Sequence, residues 1–259
     1  MTVYHRYVAL GDSQTEGLGD GDDVQGHRGF ADRLAEHLAR ADPGLLYANL
    51  AVRGRRAAQV GDEQLQAALE LRPDLATVVA GMNDLIRPGF DAAEVADALE
   101  GMFAALTAGG AHVVTVTYPD IGAIVPPARR LLPRVLDLNA RILQAAARHG
   151  VTVVDTFPLA SLTDARMWST DRLHASPVGH ARIAAAMAHA LNLPGSDGTW
   201  TSPLPPPPPA PVWHSTAAEL RWLAAFAGPW LARRLRGRSS GEGRTAKRPA
   251  LAPVAPPGR

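Results

Sequence analysis

Five short apolar or β-branched runs recur along the first 193 residues, at 4–10 (YHRYVAL), 45–50 (LLYANL), 74–81 (DLATVVAG), 111–118 (AHVVTVTY) and 151–156 (VTVVDT). Between them lie 29–41, 57–71, 91–106 and 134–150, where Leu, Ile, Phe and Ala return at helical spacing. A strand that alternates with a helix in this way predicts a parallel sheet covered on both faces. Asp91, with Glu94 three residues on, reads as an N-cap with a capping box, and Gly109 and Gly150 read as stops before the next strands. A fifth helix is predicted from Ser176, a capping residue, with Pro177 at its first position. Five βα units ending near Leu193 make a doubly wound, three-layer α/β/α domain over 1–193, around a five-stranded parallel sheet. The chain has no internal repeat.

The pattern breaks after Leu193. Residues 194–212 include five consecutive prolines (205–209), which favour a stiff polyproline II linker over core. At 213–236 an amphipathic helix is expected, with a capping box at Thr216 and Glu219 and an apolar stripe of Leu220, Leu223, Ala227, Trp230 and Leu231, split or kinked at Pro229. The remainder, 237–259, is rich in Gly, Pro and Arg and is expected to be disordered or to lie extended on the surface.

Charge sharpens that division. The formal net charge is only +1, but residues 233–259 hold 8 Lys/Arg and one acid, Glu242. The body is left with 18 bases and 24 acids, a net of −6 beside a tail of +7. The tail is thus the part that would meet an acidic partner. The apolar stripe of the 213–236 helix, with Trp213, Trp222, Phe226 and Trp230, is too costly to leave in water; docking on the acidic body is the first expectation and an anionic membrane surface the second. With no cysteine, disulfides, zinc-thiolate sites and thiol nucleophiles are excluded. No apolar run reaches membrane-spanning length and no signal peptide opens the chain, which suggests a soluble, cytoplasmic protein.

In an open parallel sheet, ligands bind beyond the carboxyl ends of the strands. The loops there carry Gly11-Asp12-Ser13 after the first strand, Gly54 in NLAVRGRRA after the second, Gly81-Met82-Asn83-Asp84 after the third, and Asp171 three residues ahead of His174 past the fifth. These types suit acyl transfer. A serine hydroxyl needs an imidazole to take its proton, and the imidazole needs a carboxylate to fix its tautomer, roles that Ser13, His174 and Asp171 can fill. Donors for an oxyanion are available in the backbone N–H groups of Ser13 and Gly54 and in the Asn83 amide. Taken singly, each of these is more simply a turn or cap residue. Their occurrence in order at successive strand ends is what points to a site.

Those blocks, GDSQTEG, GMND and DRLH, resemble the motifs of the SGNH hydrolase superfamily, the GDSL-type esterases and lipases, with Gln14 in the place of the namesake leucine and Ala51 where such proteins often have a glycine. The resemblance covers about residues 1–193. It implies a flavodoxin-like fold, Ser13 as nucleophile, His174 as general base and acid, Asp171 as its partner, and Ser13, Gly54 and Asn83 as oxyanion donors. It also implies that neither metal nor organic cofactor is needed, and that the partner is a small-molecule acyl ester. The family's breadth leaves acyltransferase chemistry open on the same site.

Two rival readings fit the sequence less well. A flavodoxin-like binder could hold a phosphate in the GDSQTEGLGDGDD loop, but Asp12, Glu16, Asp20, Asp22 and Asp23 there would repel it. The basic tail could bind polyanions, but it carries no nucleic-acid motif, so specific nucleic-acid binding is not expected. The tail's GRSSG (237–241) matches a nucleophile elbow in letters only: no strand precedes it, and Ser239 is rejected as nucleophile. Met82, Tyr118, Phe157, Met167 and Trp168 are either pocket wall or core.

Overall fold

A computed structural model of the chain describes residues 2–206 and 240–254. Its strands are β1 (Arg6–Gly11), β2 (Gly21–Asp22), β3 (Gly26–His27), β4 (Leu46–Asn49), β5 (Leu75–Val79), β6 (His112–Val116), β7 (Thr152–Val154) and β8 (Arg248–Pro253). The helices are α1 (Ser13–Glu16), α2 (Phe30–Ala41), α3 (Ala57–Val60), α4 (Gln66–Glu70), α5 (Met82–Leu85), α6 (Ala92–Ala108), α7 (Ile121–Ile124), α8 (Leu132–His149) and α9 (Pro177–Ala190). Apart from a two-stranded β2–β3 hairpin, the strands form one sheet in the order β7-β6-β5-β1-β4-β8. The first five are parallel, as the sequence pattern predicts.

The sheet has six strands rather than five. The sixth, β8, comes from the Gly/Pro/Arg-rich tail and lies antiparallel to β4, pairing Leu46 with Pro253, Tyr47 with Ala252 and, past a register shift, Asn49 with Arg248. Pro249 and Pro253 hide this strand from sequence reading, since proline cannot donate to a ladder. At a sheet edge only one side of a strand needs a partner. The basic residues fasten it: Lys247 Nζ donates to Asp32 Oδ2 (2.6 Å) and His27 O (2.9 Å), and Arg248 Nε donates to Tyr47 O (2.8 Å) with its guanidinium 5.3 Å from the Tyr47 ring. The expected helix at 213–236, and with it the choice between body and membrane for its stripe, lies outside the described residues.

Alternation along β1 sends Tyr7 and Ala9 to one face of the sheet and Val8 and Leu10 to the other. The first face packs on α2 and α9, where Tyr7 and Tyr47 stack at 5.0 Å. The second packs on α3, α6 and α8 through Val60, Leu99, Phe103, Leu138 and Ile142. Asp91 caps α6 by accepting from Ala93 N and Glu94 N, and Ser176 caps α9 by accepting from Gly179 N, with Pro177 at the first position as expected. The helix expected over 57–71 is interrupted by a π-turn at Gly61–Leu65, which sets Gln64 against the end of β1. There Gln64 Oε1 accepts from Gly11 N and Gln64 Nε2 donates to Gly11 O, both at 2.9 Å, at the last residue of the strand.

Candidate functional site

Strand β1 lies between β4 and β5, so the chain turns one way after β1 and the other way after β4. In open α/β sheets such a reversal is where ligands bind, beyond the carboxyl ends of the strands that flank it. Ser13 follows β1, Gly54 follows β4 and Asn83 follows β5. The turn into Ser13 is tight: a Cβ on Gly11 would fall 2.3 Å from Thr15 Oγ1 and 2.4 Å from Val79 O, so no other residue fits there. Asp12 caps α1 by accepting from Gln14 N (3.3 Å), which leaves Ser13 as the first residue of the helix, 8% exposed. Within the described residues neither Ser13 N–H nor Gly54 N–H donates a hydrogen bond.

The His174 segment is built as a turn around Asp171. Asp171 Oδ1 accepts from Leu173 N (2.9 Å), His174 N (3.0 Å) and Ser169 Oγ (2.6 Å), while Oδ2 lies 2.6 Å from His174 Nδ1. Burial pushes the Asp171 carboxyl up, but the hydrogen bond and charge of His174 outweigh it and hold the group well below the usual carboxylate range. It therefore stays ionised and serves as hydrogen-bond acceptor for the His174 Nδ1–H. An isolated bridge between Trp168 and Ala175 closes the turn.

Gln14 joins these two segments. Its Nε2 donates to Leu173 O (3.3 Å) and its Oε1 accepts from Ala175 N (3.2 Å), so the neighbour of Ser13 grips the backbone on either side of His174. Fully buried His180 adds a second tie, accepting from Phe30 N on Nδ1 (3.1 Å) and donating from Nε2 to Leu18 O (2.9 Å). Asn83 is tied in from the other side. Its Nδ2 donates to Asp12 Oδ2 and to Arg55 O, both at 3.0 Å, and Asp84 Oδ2 accepts from Ala57 N (2.9 Å) to anchor the start of α3. Ser13, Gly54, Asn83, Asp171 and His174 thus all stand at one end of the sheet. Among the described residues no cluster of side chains could hold a metal ion.

The model of the GDSL-like Lipase/Acylhydrolase family matches residues 9–182. The chain belongs to that family. No curated protein sequence matches it. Among solved structures it is similar to TesA (25% identity, TM-score 0.58, covering 72% of this chain and 98% of that one). It is similar also to a lipase/acylhydrolase from Enterococcus faecalis (22%, 0.59, 75% and 100%) and to Axe2, an acetylxylan esterase from Geobacillus stearothermophilus (18%, 0.61, 76% and 100%). The GDSL match stops before the Pro-rich segment, whereas the sheet of this GDSL protein recruits β8 from beyond it.

Several residues at this end of the sheet carry roles that the sequence pattern does not show. Asp12 is 3% exposed, and burial pushes its carboxyl up to about 6 against the pull of the Gln14 N–H, His174 and Asn83. Buried Asn49 donates from Nδ2 to Thr15 O (2.8 Å) and accepts from Ala51 N on Oδ1 (3.1 Å), tying α1 to the end of β4. The acids of the first loop, read as a repulsive cluster, are mostly consumed internally: Asp20 pairs with Arg33, Glu16 with Arg53, and Asp23 with Arg53 and Arg244, while Asp22 closes the hairpin turn by accepting from Val24 N and Gln25 N. Of the wall candidates, Tyr118 and Met167 are buried core, Met82 and Phe157 pack partly buried on the core, and Trp168 Nε1 donates to Leu162 O (2.9 Å).

Proposed function

We propose that this GDSL-family hydrolase cleaves carboxylic esters through an acyl-enzyme on Ser13. The observation that carries the reading is Gln14, which fastens the Ser13 segment to both sides of a histidine whose Nδ1 is already held by a carboxylate. His174 Nε2 takes the Ser13 Oγ proton as Oγ bonds to the ester carbonyl carbon, and Asp171 stabilises the imidazolium. The oxyanion is met by the N–H groups of Ser13 and Gly54 and by the Asn83 amide. Because both Nδ2 hydrogens of Asn83 are engaged, one of its two bonds gives way to the oxyanion. The tetrahedral intermediate collapses as the C–O bond to the alcohol breaks and His174 returns its proton to the leaving oxygen. Water then repeats the cycle on the acyl-Ser13. No step calls for a metal or organic cofactor.

The reading is tested by steady-state hydrolysis of p-nitrophenyl esters of increasing chain length, with acetylated sugars and acyl thioesters alongside. Turnover of at least one class by the wild-type chain, lost in Ser13→Ala, is expected. Equal turnover in both proteins would contradict it.

A further inference from the structure

Gly54 lies at φ +77° in the loop after β4. Without a Cβ, the peptide plane that precedes it has little intrinsic preference and must be held from outside. In a trans peptide the Arg53 C=O and the Gly54 N–H share that plane and point in opposite directions. Whatever holds the carbonyl therefore aims the N–H.

Two groups bear on this peptide. On its carbonyl side is Gly241, buried in the C-terminal segment: a Cβ there would stand 2.0 Å from Arg53 O and 3.2 Å from Arg53 C, so the tail backbone is in direct contact with that carbonyl. Ahead of it, Arg53 N donates to Glu16 Oε2 (2.7 Å). The Arg53 side chain follows the same route, with Nε donating to Glu16 Oε1 (2.9 Å), Nη2 bonded to the same oxygen, and Nη2 also donating to Asp23 Oδ1 (2.8 Å). Asp23 in turn accepts from Arg244 Nη2 on Oδ2 (2.6 Å) and from Arg244 Nη1 on Oδ1 (3.2 Å).

The chain Arg244–Asp23–Arg53–Glu16 therefore runs from the tail to the last residue of α1, the four-residue helix that begins with Ser13. Glu16 and Arg53 are each 7% exposed. A buried ion pair is a poor device for stability alone, because desolvation offsets its attraction, but it imposes one geometry on the groups it joins.

We propose that the C-terminal segment is a clasp that aims the Gly54 N–H, with Gly241, Arg244, Asp23 and Arg53 as positioning residues. The proposal rests on the reading of Gly54 as an oxyanion donor. It gives the tail a part in the chemistry of the site that its edge-strand pairing alone does not.

The test compares the full-length wild type with Gly241→Ala, Arg244→Ala, Arg244→Lys and Lys247→Ala, reading kcat and KM on a p-nitrophenyl ester together with Tm. Lys247 fastens the same tail to Asp32 of α2 and to His27 O, not to Asp23, Arg53 or Glu16. Gly241→Ala should lower kcat by roughly tenfold or more with KM within about twofold, since a displaced oxyanion donor acts on the transition state and small misplacements are costly. Arg244→Ala should lower kcat by about threefold, because its pair with Asp23 is half-exposed and weaker, and Arg244→Lys should recover part of that loss. Lys247→Ala should lower Tm and leave kcat unchanged. Should Gly241→Ala fail to fold, the Arg244 pair decides. A folded Gly241→Ala with wild-type kcat, or a Lys247→Ala that loses as much kcat as Gly241→Ala, overturns the clasp while the hydrolase reading stands. An inert wild type removes both.

Discussion

Asn83 Nδ2 donates to Asp12 Oδ2 at 3.0 Å, so the residue before the proposed nucleophile holds the amide of the proposed oxyanion donor. The contact joins the loops after β1 and β5 and sets the Asn83 side chain before any substrate arrives. It also gives Asp12 a reason to be buried.

From it follows the expected behaviour of Asn83→Ala. The variant should lower kcat by about 10²–10³-fold with a small change in KM, since an oxyanion donor is used chiefly in the transition state. Steady-state kinetics on a good ester substrate checks this. A raised KM with unchanged kcat would make Asn83 a ground-state binding residue instead.

The same burial predicts opposing pH effects on stability. The folded-state Asp12 carboxyl lies at about 6, above its ordinary 3.8, so its favourable contribution is full below 3.8 and is lost as pH rises through 6. His180, depressed by burial from 6.5 to about 4, contributes above 6.5 and loses that contribution as pH falls through 4. Between pH 4 and 6 the two therefore work against each other. Asp12→Asn should steepen the loss of Tm on acidification and His180→Gln should flatten it. Thermal melts across that window read both slopes, and parallel curves for wild type and variants would refute the assignment.

Strand β8 makes a separate, purely structural prediction. Arg248 donates to Tyr47 O, Ala252 O and Pro253 O and covers the Tyr47 ring. Arg248→Ala should cost about 1–2 kcal/mol, a fall in Tm of roughly 3–6 °C for a chain of this size. An unchanged Tm would mean that the edge strand adds nothing to the fold.

Local pattern carried the five parallel strands, because each is a run of apolar residues bounded by turns, and it carried the caps at Asp91 and Ser176, because capping uses neighbours within a few residues. It also singled out Ser13 and Asn83 just after β1 and β5, and Asp171 and His174 in the turn before α9, which the topology brings to one end of the sheet. What it missed is non-local or irregular. Glu16 and Arg53 are 37 residues apart and Asp23 and Arg244 are 221, so neither pair leaves a periodic signature. The prolines of β8 read as loop, and the π-turn at 61–65 leaves an apolar spacing that a plain helix fits nearly as well. Gln14 in place of the namesake leucine was visible as a substitution, but its double grip on the His174 segment needed the fold.

The central claim is that Ser13 is acylated with His174 as its base, and covalent labelling tests it most directly. Wild-type protein treated with a fluorophosphonate should gain one adduct by intact mass, mapped to Ser13 by peptide fragmentation. The adduct should be absent in Ser13→Ala and its formation slowed at least about 10³-fold in His174→Ala, given what removal of a triad member costs. A Ser13 that stays unlabelled in a chain that turns over an ester, or labelling at an unchanged rate in His174→Ala, would contradict the account.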